Sequence, residues 1–121
     1  MNELILIIED QEDNRRIMRD LLTNAGYKVI EAVTGEAGVM SAETHCPDLI
    51  LMDIQLPDFD GYEATRRIKA NPALSAIPVI AVTSYALSGD DVKAYEAGCD
   101  AYVSKPFSPR KLLAKIREFF A

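Results

Sequence analysis

The chain has 121 residues, of which 49% are hydrophobic and 26% charged, and its formal net charge is −6. This length predicts one domain, residues 1–121, with a hydrophobic core and no room for a second domain. The acidic balance argues against binding to nucleic-acid phosphates, and no apolar run or basic start predicts a membrane span or signal peptide. We therefore expect a cytoplasmic protein in which the two cysteines, Cys46 and Cys99, are reduced and buried.

The first half of the chain alternates between strand-like and helical patterns. The apolar run Leu4–Ile8 predicts a strand covered on both faces, and it ends at Glu9-Asp10. The helical stripe that follows closes at Gly26, which is placed to adopt a left-handed conformation. Its apolar members are Ile17, Met18, Leu21, Leu22 and Ala25. Residues 29–32 predict an edge strand, and Thr34 is placed to cap a helix that continues to about residue 44.

The second half of the chain continues the alternation, and polar residues again follow each strand. The predicted strands are residues 48–53, which end in Asp53, residues 77–82, which end before Thr83, and Ala101–Ser104, which runs into Lys105-Pro106. A helix follows each of these strands. The first begins at a capping box of Asp60 and Glu63, the second begins at a capping box of Ser88 and Asp91 and ends at Gly98, and the third begins at Ser108-Pro109.

Strict alternation of strands and helices predicts a parallel sheet with right-handed crossovers and helices on both faces. The least apolar strands, the second and the fifth, should lie at the two edges. This is consistent with a flavodoxin-like, doubly wound (βα)5 fold with strand order 2-1-3-4-5.

Four of the five strands are followed by reactive polar residues, and parallel strands share one carboxyl edge. Strands one and three are neighbours in the predicted order, which brings Asp10 close to Asp53. Clustered carboxylates repel one another unless a cation neutralises them, and oxygen ligands suit Mg²⁺. Asp53 could then act as a nucleophile toward phosphorus, while the Lys105 ammonium and the Thr83 hydroxyl stabilise the transferred group.

This arrangement closely resembles the receiver domain of bacterial two-component response regulators, and the resemblance covers essentially the whole chain. The residues that match the family pattern are the acidic pair Glu9-Asp10, the phosphoacceptor Asp53, the loop from Asp53 to Pro57 with Gly61, the switch residues Thr83 and Tyr102, and the pair Lys105-Pro106.

The resemblance implies a switch that receives a phosphoryl group on Asp53 from a histidine kinase or a histidine-phosphotransfer protein. Mg²⁺ would be bound by Asp10, by Asp53 and by the backbone carbonyl of Gln55, with Glu9 acting through water. Lys105 would pair with Asp53 and then with the phosphoryl group. Movement of Thr83 and Tyr102 would reshape the surface of the fourth helix, fifth strand and fifth helix for a downstream partner protein, and a homodimer on phosphorylation is left open.

Two positions that should border the site, Gln55 and Tyr85, are expected to tune the lifetime of the phosphorylated state. Arg15, Arg16 and Arg19 are interpreted as a solvated helix face, with docking of the phosphodonor on this helix as the second interpretation. Three alternatives stay open: a receiver excised from a larger regulator or hybrid kinase, a receiver-like interaction module that is not phosphorylated, and a Mg²⁺-dependent phosphohydrolase. The third is disfavoured because Gln55 stands where such enzymes usually carry an acid.

Overall fold

The computed structural model describes residues 3–83, 90–105 and 108–120. In these ranges, five strands alternate with five helices. The elements are β1 (Leu4–Ile8), α1 (Glu12–Asn24), β2 (Lys28–Ala32), α2 (Gly35–His45), β3 (Leu49–Asp53), α3 (Gly61–Ala70), β4 (Val79–Thr83), α4 (Asp90–Ala97), β5 (Ala101–Ser104) and α5 (Pro109–Glu118). None of the described helices combines the length and the apolar character needed to cross a membrane.

The five strands form one parallel sheet in the order β2-β1-β3-β4-β5. The prediction of a flavodoxin-like α/β fold is therefore confirmed, including the strand order. In the register of β1 with β3, Ile8 lies opposite Met52, so the residues that follow Ile8 reach the same edge of the sheet as Asp53. This edge is the carboxyl end of the sheet, where folds of this kind bind ligands.

Alternate residues of each central strand pack on opposite faces of the sheet, which creates two core layers. Leu6, Ile8, Ile50 and Met52 pack beneath α2, α3 and α4. Ile5, Ile7, Leu49 and Leu51 pack beneath α1 and α5. Every residue of β3 and β4 is buried, as the unbroken apolar runs in the sequence predict. Burial on both faces fixes the directions of these strands and hence the place where Asp53 leaves the core.

Most of the predicted helix ends are present. The side chains of Thr34, Asp60 and Ser108 accept hydrogen bonds from the backbone three residues later, as N-caps do. Gly26 and Gly98 have φ angles of 98° and 107° and end α1 and α4 in the conformation that glycine tolerates best. The predicted capping box that begins at Ser88 lies outside the described residues.

Two predictions about apolar residues were wrong. Ile17 is 55% exposed, because the buried face of α1 is centred on Met18 and Leu22, one turn apart, and Ile17 lies on its flank. Cys99 is buried as expected, but Cys46 is exposed. Cys46 follows the last turn of α2 in a left-handed conformation with φ of 45°, at a surface turn rather than against the core.

Candidate functional site

Three carboxylates meet at the carboxyl edge of the sheet. Glu9 and Asp10 follow β1, and Asp53 is the last residue of β3. One carboxylate oxygen from each lies within 4.8 Å of the others. Glu9 and Asp53 are 0% and 3% exposed, so two of the three charges are held away from water. A cavity of about 430 Å³ opens at this cluster, and its walls are formed by Glu9, Asp10, Gln11, Asn14, Asp53, Gln55, Leu56, Pro57 and Lys105.

Lys105 places a positive charge among these carboxylates. Its Nζ lies 2.6 Å from Oε1 of Glu9 and 3.6 Å from Oδ1 of Asp53, and its side chain is 13% exposed. The sequence predicted a pair with Asp53, and that contact is present. The shorter contact, however, is with Glu9, which the sequence analysis treated only as a metal residue. Lys105 therefore neutralises Glu9 first and leaves Asp53 less completely paired.

The electrostatics of the cluster differ from one carboxyl to the next. Burial, followed by the charge of Glu9 and a hydrogen bond with it, raises the pKa of Asp53 to about 7. Burial would also raise the pKa of Glu9, but hydrogen bonds from Lys105, Asp53 and the Gln11 N–H lower it overall. Burial and the neighbouring Glu9 raise the pKa of Asp10. Two acids that ionise reluctantly therefore face the cavity together, as expected of a site that binds a cation.

The switch residues predicted from the sequence lie on β4, which pairs with β3, and on the edge strand β5 beyond it. Thr83 ends β4 and is 3% exposed, and its carbonyl accepts a 2.6 Å hydrogen bond from the Lys105 N–H. Tyr102 lies on β5 opposite Ala81 and is half-buried against the core beneath α2, α3 and α4. Their proposed movement stays a prediction. Pro106 and Tyr85, the second lifetime position, lie outside the described residues.

The loop between β3 and α3, residues 54–60, is held at both ends. Gly61 begins α3 so close to the backbone of Asp53 that a Cβ there would overlap the Asp53 carbonyl oxygen. Three residues before Gly61, both oxygens of Asp58 accept hydrogen bonds from the first turn of α2, from Gly35 N at 2.8 Å and from Glu36 N at 2.9 Å. The cap by Asp58 was not predicted, because nothing in the local sequence shows that this loop reaches α2. Gln55, within the loop, forms part of the cavity wall.

The interpretation of Arg15 as a solvated residue was wrong. Arg16 is 61% exposed, but the side chain of Arg15 is only 14% exposed. Its Nη1 donates to the carbonyl oxygens of Glu9 and Asp10, both at 3.0 Å. Arg15 thus contacts the backbone of the acidic pair. The interpretation was wrong because helical periodicity places Arg15 on the polar face of α1 but says nothing about contacts with the loop that precedes the helix.

The cluster has the donor set that Mg²⁺ prefers, namely oxygen ligands from a small number of carboxylates with room for water. Three carboxylates and one ammonium leave a formal charge of −2 when all are ionised, which matches a divalent cation. Glu9 is already engaged by Lys105 and by the Gln11 N–H at 3.2 Å, so Asp10 and Asp53 are the better direct ligands. These residues therefore fit a magnesium ion.

Together, the fold and this acidic edge define a receiver domain. A family model described as "Response regulator receiver domain" matches residues 5–117, and the chain belongs to that family. Among curated relatives, the polar-differentiation response regulators DivK of Brucella ovis and Brucella suis are each 42% identical over 119 residues. These residues make up 98% of this chain and 97% of each relative, so the match spans almost the whole of those proteins.

Solved structures show the same similarity. The receiver domain of the sensor histidine kinase PA1611 from Pseudomonas aeruginosa is 37% identical, with a TM-score of 0.91 and 98% of both chains covered. That structure has a magnesium ion coordinated in its active-site cleft. A CheY-like receiver domain protein from Methanospirillum hungatei is 36% identical, with a TM-score of 0.88, and covers 98% of this chain and 93% of its own. The predicted family is confirmed.

Proposed function

We propose that Asp53 of this receiver domain accepts a phosphoryl group and that residues 1–121 form one signalling switch. The observation that carries the proposal is the setting of Asp53. It is a buried carboxylate at the end of a central strand, with the Lys105 ammonium 3.6 Å away and a second acidic residue, Asp10, within 4.8 Å. A carboxylate held beside a cation and next to a metal-binding cluster suits nucleophilic attack on phosphorus.

The proposed cofactor is Mg²⁺, with Asp10, Asp53 and the backbone carbonyl of Gln55 as ligands and Glu9 contacting it through water. The acidic cluster supports this assignment. The bound ion would neutralise the carboxylates and the oxygens of the incoming phosphoryl group.

In the proposed reaction, a carboxylate oxygen of Asp53 attacks the phosphorus of a phosphohistidine. An O–P bond forms, the P–N bond breaks, and the imidazole leaves with the electron pair of that bond. Lys105 stabilises the charge on the phosphoryl oxygens, and the Thr83 hydroxyl donates to one of them. The product is an acyl phosphate on Asp53, and its hydrolysis by water returns the carboxylate and releases inorganic phosphate.

The donor in this proposal is a histidine kinase or a histidine-phosphotransfer protein. Phosphorylation would add roughly −1.5 to −2 charges and new acceptor oxygens at the end of β3. We infer that Thr83 then moves toward the phosphoryl group and Tyr102 turns inward, which would change the surface of α4, β5 and α5 that a downstream protein contacts. A cytoplasmic location and a homodimer on phosphorylation stay predictions from the sequence.

Among the alternatives, Gln55 still disfavours a general phosphohydrolase, because it cannot supply the acid that such an enzyme needs two residues after its nucleophile. A receiver within a larger regulator or hybrid kinase stays an alternative, because the chain is 42% identical to the DivK response regulators and 37% identical to the receiver domain of a sensor histidine kinase. The acidic cluster and Lys105 disfavour a module that is never phosphorylated.

The test is phosphorylation by acetyl phosphate with Mg²⁺, followed by intact mass spectrometry. The natural protein should gain one phosphoryl group that hydroxylamine removes, as expected of an acyl phosphate. Asp53→Asn should gain none. Asp13→Asn is the matched control, because its carboxylate is 88% exposed on α1 and forms a surface ion pair of 3.4 Å with Arg16. Undiminished labelling of Asp53→Asn would contradict the proposal.

A further inference from the structure

The turn between β1 and α1 carries the acidic pair and lacks a usual helix cap. Gln11 occupies the N-cap position of α1, and its side chain makes no capping hydrogen bond. A helix start of this kind normally gains about 1 kcal/mol from Ser, Thr, Asp or Asn at that position. The backbone that aims Asp10 into the cavity must therefore be fixed in another way.

Arg15, one turn into α1, supplies that constraint. A single nitrogen, Nη1, donates to the carbonyl oxygens of two consecutive residues, Glu9 and Asp10, at 3.0 Å each. These carbonyls belong to the two peptide groups that flank the Cα of Asp10, so fixing both constrains the direction in which the Asp10 side chain leaves the backbone. Arg15 is not part of the cavity wall, so it affects the site only through its contacts with the backbone of Glu9 and Asp10.

Arg15 is itself anchored to the neighbouring strand. Its Nε lies 3.4 Å from Oε1 of Glu31, on β2. Arg19 holds the same carboxylate, with Nη1 at 3.0 Å and 2.9 Å from its two oxygens. The guanidinium of Arg15 is thus placed by β2 and by α1 together, and its side chain is largely buried. A planar group with five N–H donors can serve Glu31 and two carbonyls simultaneously, whereas a lysine ammonium has three donors on a more flexible chain.

We propose that Arg15 is a positioning residue for the metal and phosphoryl site: it holds the backbone of Glu9 and Asp10 in the geometry that binds Mg²⁺, with Glu31 as its anchor. This inference rests on the proposed function, since it assumes that Asp10 and Asp53 bind the ion. Partners that orient metal ligands typically change metal affinity by about 10-fold to 100-fold when they are removed.

Charge and geometry predict opposite effects for this residue, which makes the proposal easy to test. Arg15 is positive and near a site for a cation, so by charge alone its removal should tighten Mg²⁺ binding. If Arg15 positions the ligands, its removal should weaken Mg²⁺ binding. Arg16 is the matched control, because it is the next residue of the same helix, carries the same charge and is 61% exposed.

The experiment is titration of the natural protein, Arg15→Met and Arg16→Met with magnesium chloride, with the dissociation constant measured by calorimetry at fixed ionic strength. We expect Arg15→Met to bind Mg²⁺ about tenfold more weakly. Arg16→Met should bind within about twofold of the natural protein, with any change toward tighter binding. Amide resonances of Glu9 to Gln11 should shift or broaden in Arg15→Met without metal.

Equal or tighter binding by Arg15→Met, with unchanged amide resonances, would overturn the inference. Should Arg15→Met not fold, Arg15→Lys replaces it: this variant keeps the charge, so weaker Mg²⁺ binding by the folded variant supports positioning, and an unchanged dissociation constant overturns it. The two proposals fail separately. If the natural protein does not bind Mg²⁺, the proposed function fails; if it binds and Arg15 variants match their control, only the role of Arg15 fails.

Discussion

At the scale of single residues, Glu9 is a buried carboxylate whose negative charge is stabilised by the neighbouring Lys105. It has no exposed surface, and its short contact with Lys105 is the main reason that its pKa falls despite burial. A buried ion pair adds little net stability as a pair, because desolvation offsets attraction. Removal of one partner, however, leaves an uncompensated charge inside the protein.

Lys105→Met should therefore destabilise the protein strongly. We expect a loss of about 3 kcal/mol in the free energy of unfolding, because Glu9 must then stay buried without a cation or take up a proton. The double variant Glu9→Gln/Lys105→Met should recover part of that loss. Urea denaturation measures both, and Lys115→Met serves as the control, since Lys115 pairs with an exposed glutamate on α5. Equal stability of the Lys105 and Lys115 variants would contradict this explanation.

Asp53 makes a second prediction, about pH. Its pKa is raised to about 7 in the folded protein from 3.8, so the folded state holds its proton more tightly than the unfolded state does. Stability without metal should therefore fall as pH rises from about 4 to about 7, and the cost should be complete above that range.

Asp53→Asn lacks this cost. In the presence of a chelator it should unfold at a higher temperature than the natural protein at about pH 8, with an advantage on the order of 2–4 kcal/mol that shrinks as the pH falls toward about 5. Thermal unfolding at several pH values checks this. An advantage that does not change with pH would contradict the raised pKa.

At the scale of elements, the loop after β3 and the start of α2 depend on each other. Asp58 accepts hydrogen bonds from two N–H groups that have no partner within α2. The Phe59 ring packs against Gly35 so closely that a Cβ on Gly35 would overlap the ring. Arg67 lies over the Phe59 ring at 4.0 Å and ties the same loop to α3. The segment that follows the phosphoacceptor is therefore fixed by two helices.

Asp58→Ala should lower the melting temperature by about 5 °C, because two N–H groups at the start of α2 lose their acceptor. Asp58→Asn keeps one acceptor oxygen and should lower it less. Calorimetry measures both changes, and hydrogen exchange at Gly35 and Glu36 should rise most in the alanine variant. Equal melting temperatures for all three proteins would show that this cap is not needed.

Helix and strand positions could be predicted well because the relevant signals are local. The run that forms β1 and the first four residues of β3 contain no polar residue, and Thr34, Asp60 and Gly26 mark helix ends within a few positions. The roles of Asp58 and Arg15 could not be predicted, since each contacts backbone groups that no sequence period connects to it. The sequence likewise assigned Lys105 to Asp53 without showing that Glu9 lies closer.

At the scale of the whole molecule, the parallel sheet is what gathers residues from Glu9 to Lys105 at one edge. All five strands point the same way, so the residues at their carboxyl ends lie along the same edge of the sheet. Neither of the two core layers includes a residue of the acidic cluster, Glu9, Asp10 and Asp53. The fold can therefore tolerate unfavourable charge at the edge that a bound cation later relieves.

Mg²⁺ should consequently stabilise the folded protein. Beyond its dissociation constant, each tenfold rise in free Mg²⁺ should add about 1.4 kcal/mol to the free energy of unfolding. The effect should be larger at about pH 8 than at about pH 5, because protonated Asp53 and Asp10 bind metal poorly. Melting temperatures measured across a magnesium titration test this, with Asp53→Asn expected to respond less. A response of the same size in that variant would remove Asp53 from the ligand set.

The exposed turn after α2 has a practical consequence. Cys46 lies there at the amino end of β3, on the opposite edge of the sheet from the acidic cavity. The other thiol, Cys99, is buried, and burial raises its pKa, which slows its reaction with alkylating reagents. A maleimide fluorophore should therefore attach to the natural protein at Cys46 alone. Binding at the acidic cavity, on the opposite edge of the sheet, can then be followed by fluorescence without an engineered cysteine.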